Sequence, residues 1–247
     1  MRGYLLFQLY GPLASFGEAA VGEARHSATH PSRSALLGLL AAAAGLRRDD
    51  AEGQRRLAES LRFGVKTLSL GSVLKDYHTT QVPPQERKVH HYHTRRDELG
   101  SDRLGTILSS REYRQDGLWL AAAWIDGSSA SHSLDELAQH LATPVFHLYL
   151  GRKSCPLGLP LNPRIIQAES LKQAFGEYPK PAQAENKELV LRRGFGPAQV
   201  QYAWEACDHS GFAKEDFHAP RHDNPLNRDR WQFGDREEYT KLEQEGA

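Results

Sequence analysis

The chain has 247 residues, with 31 Lys+Arg balanced by 31 Asp+Glu and an apolar content of 39%. That length and composition support one large domain or two small ones, each with a real core, and exclude both a disordered polymer and a uniformly basic nucleic-acid-coating tail. A local basic surface stays open, because net charge says nothing about where charges sit.

Gly3–Tyr10 is rich in Leu and aromatics and stops at Gly11-Pro12, so it reads as a buried strand. Leu13–Thr29 has mixed polarity and two glycines, the pattern of a loop. Ser32 or Ser34 caps the clearest helix, whose face is Leu36, Leu37, Leu39 and Leu40 and whose four alanines, Ala41–Ala44, permit close approach to a sheet. Gly45 follows as its C-cap. Ala51–Leu61 is a second, more polar helix, and Phe63–Leu74 is strand-like with a turn at Gly71. Lys75–Ser110 has little apolar periodicity and is long for a connection, as segments that are functional or mobile usually are. Leu118–Ile125 is the next strand. Ser133 and Glu136 form a capping box for the helix that follows, Pro144 ends it, and Val145–Leu150 reads as a strand.

This gives a β-α-β-β-α-β order, a ferredoxin-like α+β core over residues 1–150 with an insert at about 75–114. Residues 151–247 form a smaller, mainly β part packed on it, with strands expected at Glu188–Arg192, Gln199–Ala206 and Arg230–Phe233. Cys155 and Cys207 are too few for a disulfide framework or a four-cysteine zinc site. No segment approaches the roughly 18 consecutive apolar residues of a membrane span. The opening lacks the apolar core and cleavage site of a signal peptide, so a cytoplasmic chain is expected.

Three constellations carry chemistry. The insert alternates cations (Lys75, Arg87, Lys88, Arg95, Arg96) with rings (Tyr77, His78, His90, His91, Tyr92, His93), and Arg103, Arg111 and Arg114 follow. Cations neutralise phosphates and rings stack on unpaired bases, so the pattern suits single-stranded nucleic acid. Gly151-Arg152-Lys153-Ser154-Cys155-Pro156 places two cations and a hydroxyl on flexible backbone directly after a strand, a phosphate-holding arrangement without P-loop spacing. Arg25–Ser34 brings His26, His30, Ser32 and Arg33 to a helix N-terminus, where anions are attracted. Each also has a plain structural reading: a solvated loop, a turn around a buried cysteine, and ordinary capping. His91 and His93 can share one strand face as metal ligands, but zinc needs further ligands and no cysteine pair lies near. Histidine, Tyr and Lys together can also run metal-free RNA cleavage by general acid–base chemistry.

Taken together, several blocks resemble one family. They are Tyr4-Leu5 through Gly11-Pro12-Leu13 to Phe16-Gly17; Pro31-Ser32-Arg33-Ser34 with Leu36–Leu40; Leu74-Lys75-Asp76-Tyr77-His78-Thr79; Arg111-Glu112-Tyr113; Tyr149–Leu157; and Arg236-Glu237-Glu238-Tyr239. In this order they resemble the CasD family, subunits of Cascade, the RNA-guided surveillance complex of type I-E CRISPR systems. The resemblance implies a ferredoxin-like fold whose insert is a projecting β-hairpin thumb. It implies a subunit for antiviral defence that grips the 5′ handle of the CRISPR RNA, caps one end of the complex, and contacts the backbone subunit CasC and the large subunit CasA. Target DNA would be reached only through the complex. No cofactor, no metal and no catalytic residue is implied.

On that reading Arg25, Arg33, Arg152 and Lys153 neutralise handle phosphates, and Ser34 and Ser154 add neutral donors. Tyr77 and His78 stack on or wedge beside a base at the root of the thumb, next to Lys75. Arg111 and Arg114 brace the other side of that root. The competing readings are a metal-independent endoribonuclease using Lys75, Tyr77, His78 and the His90–His93 cluster, and a zinc-stabilised interaction module.

Overall fold

The computed structural model describes residues 1–18, 20, 22–83, 91–100, 104–127, 130–179, 199–227 and 230–244. Its centre is one antiparallel sheet in the order β6-β1-β5-β3-β7-β9-β8. These strands are β1 (Arg2–Ala14), β3 (Leu61–Ser69), β5 (Gly105–Ile125), β6 (Arg164–Ala168), β7 (Gln199–Glu205), β8 (Phe217–Asn227) and β9 (Gln232–Gln244). Two further strands pair with β5 away from this path: β2 (Ala24–Arg25), parallel to it, and β4 (Ser72–Val82), antiparallel.

Alternation along β1 explains its central place. Leu5, Phe7 and Leu9 enter one core with Trp119, Ala121 and Ala123 of β5, while Tyr4 and Leu6 enter a second core with Leu120 and Trp124. Helices α1 (Arg33–Ala43), α2 (Ala51–Ser60) and α4 (Leu134–Ala142) supply Leu36, Leu37, Leu40, Leu57 and Leu137 to the first core. Helix α5 (Leu171–Glu177) supplies Leu171 and Phe175 to the second. A short helix, α3 (Arg95–Glu98), lies outside both. Caps hold the ends expected for them: Ser32 Oγ accepts the Ala35 N–H at 3.1 Å, and Ser133 and Glu136 close a reciprocal box.

Four sequence expectations change. Val145–Leu150 is not a strand; the N–H groups of Val145 and Phe146 donate to Ala43 and Ala42 carbonyls at 3.0 and 3.1 Å, satisfying the orphan end of α1. The edge beside β1 goes instead to β6, a segment outside the strands expected from the sequence. Lys75–Val82, which its lack of apolar periodicity marks as a connection, is regular strand, in agreement with the hairpin implied by the resemblance, because β4 pairs with β5 continuously from Ser72↔Gln115 to Val82↔Gly105. The C-terminal part contains α5 and β8, and it supplies both edges of the shared sheet through β6 and β8. The turn at Gly71 holds: its φ is +63° and a Cβ there would stand 1.8 Å from the Gln115 carbonyl oxygen. The strand expected at Glu188–Arg192 lies outside the described residues.

Among the described residues no helix is long and apolar enough to cross a membrane.

Candidate nucleic-acid interface

The β4–β5 ribbon assigns each side chain to a face through its register. Lys75 and Tyr77 lie on one face with their partners Glu112 and Ser110; Asp76 and His78 lie on the other with Arg111 and Ser109. Tyr113, next but one to Arg111, shares this second face. In the parallel pairing of β2, Arg25 stands beside Arg111, which adds a second cation there. Tyr77 and His78 therefore point in opposite directions and cannot form one stacking platform. Tyr77 is 64% exposed, whereas His78 Nε2 lies 2.5 Å from Asp76 Oδ2.

The glycine turn meets this second face. Gly151 has a φ of +84°, and a Cβ there would sit 1.9 Å from the Ser15 carbonyl oxygen, so only glycine fits without a backbone shift. The turn is closed by the Leu150 N–H donating to the Cys155 carbonyl and the Cys155 N–H to the Arg152 carbonyl, both at 2.8 Å. Ser15 anchors it to the sheet: its N–H donates to Leu150 O at 3.0 Å and its hydroxyl to Glu112 O at 3.1 Å. The result places the Arg152 guanidinium over the Tyr113 ring, 5.0 Å from its centroid. Arg152 Nη1 is buried and has no hydrogen-bond partner among the described residues. Lys153 and Ser154 are exposed at the tip. Cys155 is fully buried, and burial pushes its thiol up, which makes it a packing residue.

The structure brings Arg25, Arg111, Arg152 and the Tyr113 ring to one side of the ribbon root. The reverse side is braced more than charged. Arg114 donates to the Ala28 and Ser27 carbonyls at 3.3 Å each, fixing the segment before α1. Glu112 accepts from His26 at 3.0 Å. Partial burial opposes its ionisation, but that hydrogen bond, the Ser27 N–H and the charge of nearby Lys75 hold the carboxyl below its ordinary value.

Arg33 departs from the expectation. Its side chain is buried, with Nη1 2.7 Å from both Glu205 carboxylate oxygens, Nη2 on the Ala58 carbonyl and Nε on Asn224 at 3.0 Å. The physical reason is β7: its insertion beside β3 carries Glu205 under the N-terminus of α1. Ser34 is half-buried, with its hydroxyl 3.0 Å from that of Ser32. His91 and His93 are exposed, and His90 lies outside the described residues. Tyr113, which lies outside the sequence-based set, meets the Arg152 guanidinium and so joins this candidate site. The signal was its alternation with Arg111 along one strand, which becomes legible only once β5 is known to run 21 residues.

A second polar cluster locks the C-terminal hairpin to the α1 entry. His30 Nε2 lies 3.0 Å from Glu238 Oε1, Arg221 bridges them, and Arg236 pairs with Asp223 at 2.6 Å.

The profile described as "CRISPR-associated protein (Cas_Cas5)" matches residues 4–238. The "CRISPR system Cascade subunit CasD" of Escherichia coli (strain K12) is 34% identical over 182 residues, covering 72% of this chain and 78% of that protein. A chain of a solved "CRISPR RNA-guided surveillance complex" superposes with a TM-score of 0.65 at 27% identity, over 98% of this chain and 90% of that one. A second structure, titled "Crystal structure of Cas protein", gives 0.55 at 25% identity, over 98% and 94%. The chain belongs to the Cas5 family of CRISPR-associated proteins.

Proposed function

We propose that this chain is the non-catalytic RNA-binding subunit of a Cascade-type surveillance complex in the cytoplasm, gripping the 5′ handle of the CRISPR RNA. The observation that carries the reading is Arg152: a guanidinium held over Tyr113 with Nη1 buried and unpartnered among the described residues. A buried cationic donor left without an acceptor is costly, and an RNA phosphate oxygen would satisfy it. Arg25, Arg111 and Lys153 extend the same cationic side, and Ser154 and Ser34 add neutral donors. Lys75 and the exposed Tyr77 take the strand on the reverse face, with Tyr77 as the stacking ring. Arg114 positions the loop at Ser27 and Ala28, and Arg33 leaves the RNA-contacting set because its donors are committed inside the protein.

The strand order β6-β1-β5-β3, with α1 between β1 and β3 and α4 between β5 and β6, supports a ferredoxin-like core. On it, β4 and the first half of β5 form the thumb; the chain after residue 150 gives the core its fourth strand, β6, and packs its further described, β-rich elements on residues 1–150. The backbone subunit CasC and the large subunit CasA are its protein neighbours on this reading, with target DNA met only through the complex. The placement of Lys75 and Tyr77 on the face opposite His78 supports a role without catalysis, since a metal-free cleavage site needs its acid and base to converge on one phosphate.

Co-purification with the other Cascade subunits and sequencing of the bound RNA tests this. A uniform 5′ segment protected by this chain is expected; a complex that forms with no RNA on this chain would contradict it. Incubation of the purified chain with repeat RNA and chelator tests the enzymatic reading. Intact RNA is expected; a site-specific product lost in His78→Ala would overturn the non-catalytic role.

A further inference from the structure

The segment after α4 carries large apolar side chains in the open: Val145 is 61% exposed, Phe146 44% and Tyr149 36%. Beside it runs a groove of about 690 Å³, bounded by the end of α4 at Leu141, by Pro144 to Leu148, and by the approach to β6 between Pro156 and Pro163. Among the described residues no Asp, Glu, Lys or Arg lines it. A contiguous apolar surface of this kind marks contact with a partner.

The backbone of the groove decides what kind of partner fits. Pro144, Pro156, Pro160 and Pro163 have no N–H to give. The N–H groups of Val145 and Phe146 are engaged by α1 carbonyls. The Pro160, Leu161 and Asn162 carbonyls are engaged as well. Gln8 Nε2 donates to the first at 2.7 Å, the Gln8 N–H to the second and the Tyr178 hydroxyl to the third, both at 2.8 Å. An extended peptide docks through main-chain hydrogen bonds, which these groups do not offer. A helix brings a backbone that is already satisfied and needs only a place for its apolar stripe.

Charge adds a direction. Phe146 also lines a second groove of about 540 Å³, together with Gly38, Ala41 and Ala42 of α1. This groove reaches Arg47, Arg48 and Asp49, two cations to one carboxylate, and the Arg47 side chain is 75% exposed. A helix lying along both grooves meets neutral walls in the first and net positive charge at the end of the second.

We propose that these two grooves seat one amphipathic helix of a neighbouring protein subunit, with apolar residues at i, i+3 or i+4, and i+7 along the first groove and acidic residues beside Arg47. The inference deepens the partner side of the reading above: it rests on membership of a Cascade-type complex and not on RNA binding.

The test uses the complex assembled around the full chain, with the photo-crosslinker p-benzoylphenylalanine replacing Phe146 and mass spectrometry of the crosslinked peptides. A crosslink to a helix of another protein subunit, with that apolar spacing and an acidic end, is expected. Crosslinks to RNA, to a second copy of this chain or to an extended segment, or none at all, would overturn the proposal. Native mass spectrometry on dilution then reads how well the crosslinked subunit is retained. Val145→Glu and Phe146→Glu, both at exposed side chains, should each weaken retention about tenfold or more, as for an anchor at the centre of an interface. Arg47→Glu, at the rim, should weaken it about two- to threefold. Bound RNA should stay unchanged in all three. Undiminished retention in both groove variants would overturn the docking site, and in Arg47→Glu the direction of the helix. A wild-type complex with no RNA on this chain would instead contradict the RNA-binding reading, while the crosslink would still decide the helix.

Discussion

Arg152 lies over the ring of Tyr113, 5.0 Å from its centroid, and this contact joins the glycine turn to the root of the β4–β5 ribbon. Two segments about 40 residues apart in sequence thereby present one cationic face. Tyr113→Phe keeps the ring and should leave RNA affinity unchanged. Tyr113→Leu keeps most of the apolar volume but removes the π face, so affinity should fall severalfold with a stability loss under about 1.5 kcal/mol. Binding titration beside urea denaturation checks the pair; equal affinity in the two variants would show that the ring does not position Arg152.

Gly151→Ala should destabilise the chain by about 1–3 kcal/mol, because the new Cβ meets the Ser15 carbonyl oxygen at 1.9 Å on a backbone with φ of +84°. A Cβ added at Gly176, within α5, would meet nothing within 4 Å, so Gly176→Ala should be stabilising by about 0.5–1 kcal/mol. Thermal melts of the two variants are the comparison, and a shift of the same sign in both would contradict the account.

Much of this was legible in the sequence. β1 announced itself by an apolar run ended at Gly11-Pro12, α1 and α4 by their caps, and the turn after Leu150 by adjacent glycine and cations. The errors share a cause: local pattern was overridden by partners distant in sequence. Val145 and Phe146 look like strand but serve α1 carbonyls. β4 looks like loop because its ladder is two-stranded and both its faces are open to water, so no apolar alternation is required. Arg33 looks like a phosphate ligand at a helix start; nothing near it in sequence reveals Glu205, 172 positions away.

That buried pair yields its own prediction. Burial pushes the Glu205 carboxyl up, against the lowering effect of Arg33, so the pair is an electrostatic compromise and not a gain in itself. Removing one partner, by Arg33→Met or Glu205→Leu, should cost about 3–5 kcal/mol, while the double replacement should cost less than either. The coupling is read from urea midpoints in a double-mutant cycle; simple additivity would contradict it.

Stability should fall in mild acid. Burial, aided by the charge of Arg221, holds His30 below its ordinary pKa, so it stays neutral in the fold. Such a group contributes stability above its unfolded pKa of about 6.5 and loses it as pH falls through that value toward the lower folded one. Glu238 acts in the same direction at lower pH. Burial opposes its ionisation, but the His30 hydrogen bond and the charges of Arg221 and Arg236 outweigh burial and hold it far below the carboxylate range. Urea midpoints between pH 7.5 and 5 should therefore decline, and His30→Gln should flatten the upper part of that decline. An unchanged slope in the variant would remove His30 from this role.

The most direct measurement of the central claim is the salt dependence of RNA affinity. For single strands, each phosphate neutralised contributes about 0.7 to the slope of log affinity against log salt. The account predicts that Arg25→Ala, Arg111→Ala and Arg152→Ala combined lower the slope by about 2, with the fold intact by circular dichroism. A slope equal to that of the wild type would contradict the assignment of this face to RNA.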